Sequence, residues 1–185
     1  MKKKNVVIAG GGTGGHIYPG IALAQELKRR NPEYQVHFVG ATGGLEEKIV
    51  PNQGYPLHLL NVGRLHHSVG VLQRIKTLTL LPLSLFHSLF LYFKLRPKWV
   101  IGIGGFASGP FVLMSALMGG RSAILEPNAF PGLANRLLSK FVGTCFVVFE
   151  KTKAYFPKSK VKRVGLPVRL AKKKPEMDYH PQKRA

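Results

Sequence analysis

The feature that most constrains this chain is a short apolar run, Asn5–Ala9, that passes directly into Gly10-Gly11-Gly12-Thr13-Gly14-Gly15-His16 and then into a helical stretch. A strand, a glycine turn and a helix in immediate succession form a β–α unit, and such units assemble into parallel sheets. The same alternation recurs along the sequence. Strands are predicted at Gln35–Val39, Pro56–Val62, Trp99–Ile103, Ser122–Leu125, Thr144–Phe149 and Val161–Val164. Helices are predicted over Tyr18–Arg30 with Pro19 in the first turn, from Leu45, over Val71–Leu95 as one or two helices divided near Pro82, and over Ser108–Met118 and Pro131–Lys140. The predicted fold class is therefore α/β, a Rossmann-like parallel sheet with helices on both faces. A length of 185 residues suits one domain with a real core. A hydrophobic content of 45% excludes wholesale disorder, and a single cysteine excludes a disulfide scaffold. Lys2, Lys3 and Lys4 imitate the start of a secretory leader, but the apolar run breaks at Gly10, so a reducing cytosol is the expected compartment.

The charge is unevenly spread. The net value is +20, and about half of that excess falls in residues 151–185. Between Glu47 and Glu126 there is no acid, while Lys48, Arg64, Arg74, Lys76, Lys94, Arg96, Lys98 and Arg121 stand among large apolar residues. Such a surface attracts phosphates of nucleic acid, of anionic lipid or of a diphosphate substrate. A nucleic-acid partner is not expected, because no recognisable reading module accompanies the charge. Leu78–Phe93 is almost wholly apolar, but its sixteen residues fall short of the roughly 20 needed to span a bilayer. With basic residues on both sides it reads as an interfacial patch, with Leu78, Leu81, Leu85, Phe86, Phe90 and Lys94 as membrane-contacting candidates. Thr77, Ser84 and Ser88 share one helical face. A crossover helix buried against the sheet is the competing reading.

Three loops carry the candidate chemistry. The Gly10–His16 loop lets backbone N–H groups approach an oxyanion, and the helix that follows aims its positive end at the same spot. Gly10, Gly12 and Gly15 formally satisfy a dinucleotide pattern, but the second strand ends Phe38-Val39-Gly40-Ala41-Thr42 with no acid for a ribose until Glu46, so a nicotinamide cofactor is not expected. The second loop, Gly102-Ile103-Gly104-Gly105-Phe106-Ala107-Ser108-Gly109-Pro110, leaves the fourth strand, so Gly104, Gly105 and Phe106 should line the same sheet edge. The third, Glu126-Pro127-Asn128-Ala129-Phe130-Pro131-Gly132-Leu133-Ala134-Asn135-Arg136, adds a carboxylate and an amide to that edge. His16 is the best general-base candidate, with an unperturbed pKa of about 6.5, although a capping role fits it equally. Glu126 is the second catalytic candidate. No metal site is expected: Asp178 is the only aspartate, Cys145 stands alone in an apolar strand, and His66-His67 has no partner at ligand spacing.

These loops, with Ile17-Tyr18-Pro19-Gly20 after the first and Gly165-Leu166-Pro167-Val168-Arg169 near the end, resemble one family: they are similar to the amino-terminal half of the MurG glycosyltransferases of peptidoglycan synthesis. The resemblance covers about residues 4–169. It implies a GT-B enzyme, two Rossmann-like domains across a cleft, that transfers N-acetylglucosamine (GlcNAc) with inversion from UDP-GlcNAc to the 4-hydroxyl of an undecaprenyl-diphosphate-linked muramyl pentapeptide (lipid I), giving lipid II. It also implies an amino-terminal domain that binds the acceptor at an anionic membrane surface, on the cytoplasmic face of the bacterial inner membrane, and a carboxyl-terminal domain that holds most of the donor. By motif match, Thr13, Gly14 and Gly15 would touch the donor, Asn128 would match a donor-contacting asparagine, and Arg169 the arginine before the interdomain linker. The chain departs from the family at Leu125 and Pro127, at Leu166, and at Phe106, where a tyrosine is frequent. Residues 170–185 read as a linker or tail, and no donor domain is expected in this stretch: either the sequence is a fragment or truncated product, or a separate chain supplies the other half. A non-catalytic, membrane-anchoring subunit that recruits such a chain is the alternative reading.

Overall fold

The computed structural model describes residues 3–62 and 71–168, with side chains of 71–79 excepted. Within them lies one parallel sheet of seven strands in the order β3-β2-β1-β4-β5-β6-β7. The strands are β1 (Lys4–Gly10), β2 (Tyr34–Ala41), β3 (Leu57–Leu60), β4 (Trp99–Gly104), β5 (Ser122–Glu126), β6 (Thr144–Val147) and β7 (Val161–Arg163). The helices are α1 (Gly14–Arg30), α2 (Glu46–Asn52), α3 (Val71–Leu95), α4 (Ser108–Leu117) and α5 (Leu133–Leu138). Two short 3-10 helices, Glu150–Tyr155 and Lys158–Lys160, precede β7. The α/β expectation holds, element by element.

Side chains alternate across a strand, so β1 feeds two cores. Val7 and Ala9 pack on one face with Leu91 and Leu95 of α3, Phe111 and Val112 of α4, and Leu138 of α5. Ile8 packs on the other with Ile17 and Ile21 of α1, Val50 of α2, Phe38 and Ile103. Every residue of β5 is buried, as a central parallel strand covered on both faces requires. Cys145 lies in the first core, and burial pushes its thiol up to about 11.

One helix starts earlier than expected, and one open reading is decided. α1 begins at Gly14, four residues earlier than Pro19 suggested, so Pro19 sits in the second turn. Its absent N–H would have bonded to the carbonyl of Gly15, and the helix continues past it. α3 runs unbroken through Pro82.

Strand order reverses between β1 and β4, whose successors α1 and α4 lie on opposite faces. Loops at the carboxyl ends of these two strands diverge there and open the crevice where α/β sheets bind ligands. The sequence puts its two glycine loops at that point.

Candidate functional site at the strand switch point

The two loops interlock. The Gly11 N–H donates to the Gly104 carbonyl at 3.2 Å, and the β1–β4 register shifts between Ala9 and Gly10. A Cβ on Gly10 would collide with the Gly104 oxygen, and one on Gly105 with the Gly11 oxygen. Both residues also have positive φ, 143° and 84°, which glycine alone adopts readily.

Thr13 is the N-cap of α1, in extended conformation, yet its hydroxyl caps no helix N–H. It pairs instead with Nδ1 of His16 at 3.1 Å. The N–H groups of Gly14 and Gly15, in the first helical turn, therefore keep no acceptor among the described residues. No acid stands in that turn. The positive end of a seventeen-residue helix is thus left to an incoming anion.

His16 is held from the other side by the second loop. A Cβ on Gly104 would meet His16 Nε2 at 2.7 Å, and Gly104 has φ +94°. Only glycine at 104 leaves the ring in place. Burial lowers the His16 pKa below its ordinary value, and the negative charge of Glu126 partly opposes this. At neutral pH the imidazole is uncharged and able to accept a proton.

Glu126 is fully buried and its carboxylate is saturated. One oxygen accepts from the backbone N–H and the side-chain amide of Asn128, both at 3.0 Å. The other accepts from the Gly132 N–H at 3.1 Å and the Asn135 amide at 3.0 Å. Four donors fill the four acceptor positions of a carboxylate. Glu126 shapes the third loop from beneath and is shielded from solvent by it, a placement that differs from the substrate-facing one expected of a catalytic acid. Thr152 ties the loop further, its hydroxyl 3.0 Å from the carbonyl oxygens of Asn128 and Ala129. Asn128 itself is exposed, with Nδ2 turned back to Glu126. Gly105 and Phe106 are partly exposed beside the first loop. Arg169 lies outside the described residues.

Sequence reasoning treated Glu46 only as an acid too late for a ribose. In the structure it is the strap under the first loop. Buried at the start of α2, it accepts from the Gly12 N–H and the Ala41 N–H, each at 2.8 Å. A Cβ on Gly11, Gly40 or Gly44 would collide with Glu46 atoms within 2.5 Å. The glycines at 40 and 44 were the available signal, since they make room for a side chain folding back. The Gly12 N–H, engaged by Glu46, is accordingly not an anion donor.

α3 packs inside out. Ser84 and Ser88 are 3% and 0% exposed and face the protein with Leu91 and Leu95. Their hydroxyls donate to carbonyls of their own helix, those of Leu81 and Ser84, at 2.8 and 2.7 Å. The opposite face presents Leu83, Phe86, Phe90 and Phe93, with the phenylalanines 71%, 63% and 58% exposed. Of the membrane candidates, Leu81, Phe86, Phe90 and Lys94 are exposed and Leu85 is partly buried. The side chain of Leu78 lies outside the described residues. Among the described residues no helix is long and apolar enough to cross a membrane, and no group of three potential metal ligands occurs.

Comparison with known proteins agrees with this geometry. A UDP-N-acetylglucosamine–N-acetylmuramyl-(pentapeptide) pyrophosphoryl-undecaprenol N-acetylglucosamine transferase of Bdellovibrio bacteriovorus is 53% identical over 167 residues, covering 90% of this chain and 46% of that protein. The Myxococcus xanthus protein of the same name is 46% identical over 164 residues, covering 89% and 43%. The crystal structure of Acinetobacter baumannii MurG superposes with a TM-score of 0.75 at 26% identity, covering 88% of this chain and 46% of that one. The chain thus spans about half the length of the relatives it matches, and the resemblance to the amino-terminal half of MurG stands. The model of the glycosyltransferase family 28 N-terminal domain matches residues 6–147, and the chain belongs to that family.

Proposed function

We propose that this chain is the acceptor-binding and membrane-facing half of an inverting UDP-GlcNAc-dependent transferase that converts lipid I to lipid II at the cytoplasmic face of the inner membrane. The observation that carries the reading is the pairing, at one switch point, of an uncapped helix start with an uncharged His16. The helix start suits a diphosphate, and the histidine suits a hydroxyl that must lose its proton.

In the reaction the acceptor 4-hydroxyl oxygen forms a bond to C1 of GlcNAc as the bond from C1 to the UDP oxygen breaks on the opposite side. His16 accepts the hydroxyl proton, and UDP departs with the bond electrons. Thr13 contacts the ring at Nδ1; in the catalytic tautomer Nδ1–H donates to the Thr13 hydroxyl oxygen, and Nε2, beside Gly104, is the basic atom. Glu126 acts as a positioning group: it fixes the loop that displays Asn128, and its charge favours the imidazolium that forms. Asn128 and Arg169 contact the donor from this side, while a carboxyl-terminal domain, in the same protein or a separate chain, holds the rest. Donor and acceptor must be held in line for displacement, so this half is expected to transfer poorly without the other.

Titration with UDP-GlcNAc, with and without a separately expressed MurG carboxyl-terminal domain, tests the reading. Donor binding and lipid II formation only in the mixture support it. Tight donor binding by this chain alone overturns the division of labour, and donor binding by the mixture without transfer favours the membrane-anchoring alternative that the apolar face of α3 also suits.

A further inference from the structure

A polar cavity opens on the same rim as His16, beyond the neighbouring strand. β2 and β3 end at Ala41 and Leu60, and Thr42 and Asn61 follow directly. Across from Asn61, α3 supplies Leu83, Ser84 and His87, and these four residues line a cavity of about 270 Å³. The sheet is parallel, so the cavity lies at the carboxyl ends of strands, as the glycine loops do. Neighbouring strands lie about 4.8 Å apart, which puts the end of β3 roughly 10 Å from that of β1.

What each polar group already bonds decides what it can still offer. The Thr42 hydroxyl donates to Asn61 Oδ1 at 2.8 Å, which fixes the amide and leaves its NH2 group to spare. Among the described residues no acceptor meets that NH2 group, and the exposed ring of His87 has no partner either. Ser84 spends its proton on the Leu81 carbonyl at 2.8 Å, so its oxygen offers only lone pairs. Leu83, 58% exposed, adds an apolar wall. Two donors, one acceptor and a short apolar wall suit a peptide. Its carbonyl or carboxylate oxygens take the donors, an amide N–H takes the acceptor, and a small side chain rests on Leu83. No acid occurs between Glu47 and Glu126, the stretch that supplies β3 and α3, so these elements do not repel a peptide carboxylate.

Strand order says which substrate the cavity serves. Asn128, the donor contact proposed above, follows β5, on the far side of β4 from His16. The cavity lies beyond β2, on the other side of His16, where the donor is not held. An acceptor with its hydroxyl at His16 has this side of the rim free for its pendant groups. Five extended residues span about 17 Å, enough to cross the two strand spacings between them. On the acceptor-binding reading above, we infer that the cavity holds the peptide of the muramyl acceptor, with Asn61 Nδ2 and the His87 ring donating to its carbonyl or carboxylate oxygens.

Titration of the full chain with two short-chain, water-soluble acceptor analogues provides the test, one carrying the pentapeptide and one ending at the lactyl group. The parent chain should prefer the pentapeptide analogue about thirtyfold, at about fivefold for each donor. The variant Asn61→Ala/His87→Ala should bind the two analogues alike, bind the peptide-free one as the parent does, and melt like the parent. Asn61→Asp keeps the shape and the bond from Thr42 but turns the donor into a charged acceptor, and it should lose at least about fivefold of the preference. The His87 imidazole signals should move with the pentapeptide analogue and stay still with the other. A double variant that keeps the parent's preference overturns the site, and so does a parent chain that shows no preference. Either result leaves acceptor binding itself standing. If neither analogue binds, the acceptor reading falls and the peptide site falls with it.

Discussion

Replacing Glu46 by glutamine isolates what holds the first glycine loop. The side chain keeps its length and one acceptor oxygen, but the new amide turns an NH2 toward one of two N–H donors, those of Gly12 and Ala41, now 2.8 Å from carboxylate oxygens. A hydrogen bond to a charged acceptor contributes about 1.5–3 kcal/mol, and a buried donor left without a partner costs about 1–3 kcal/mol. Since these figures overlap in origin, a loss of about 2 kcal/mol is the reasonable expectation. For a chain of this size that lowers Tm by about 4–8 °C. Thermal melting followed by circular dichroism reads the shift, and heteronuclear spectra should place the largest changes at Gly11–His16. Glu46→Ala should cost more, because both donors are orphaned in a space that the neighbouring glycines leave to this side chain. A Glu46→Gln chain melting within a degree of the parent would refute the strap.

Gly104→Ala should displace the His16 ring, because the added carbon would lie 2.7 Å from Nε2 at a backbone φ of +94°; altered His16 imidazole signals check this, and unchanged ones contradict it. Stability should fall as pH drops below about 6.5. The reason is that burial holds His37 and His58 below their ordinary pKa, His58 feels Lys94, and the pair shares one hydrogen bond at 3.1 Å. The unfolded chain then binds protons first, so stability is present above the unfolded value and is lost on acidification. A urea midpoint that stays constant from neutrality to pH 5.5 would count against this assignment. Cys145, pushed up to about 11 and buried, should resist maleimide at pH 8 until the chain unfolds; rapid labelling of the folded protein would contradict its place in the core.

The sequence was informative where one residue type has one physical use. Glycines at 10, 104 and 105 put two loops at one sheet edge, and alternation of strands and helices gave the sheet. Proline misled at Pro19 and left Pro82 open, because a helix already stabilised by packing tolerates one missing hydrogen bond. The 3-10 helix that brings Thr152 to the third loop has no apolar period to announce it. Glu126 and Glu46 show the deeper limit: the first looked like an acid at a rim and the second like an acid too late for a ribose, and the role of each is set by donors that only the folded backbone assembles. On α3 the shared face of Ser84 and Ser88 was legible, but not that the polar face would point inward.

Whether this domain is an acceptor site is best tested by titrating the chain alone with a water-soluble, short-chain lipid I analogue, beside UDP-GlcNAc and beside a His16→Ala variant. The account predicts saturable binding of the acceptor analogue, little binding of UDP-GlcNAc, and weaker acceptor binding once His16 is removed. Tight binding of UDP-GlcNAc with none of the acceptor analogue would contradict it.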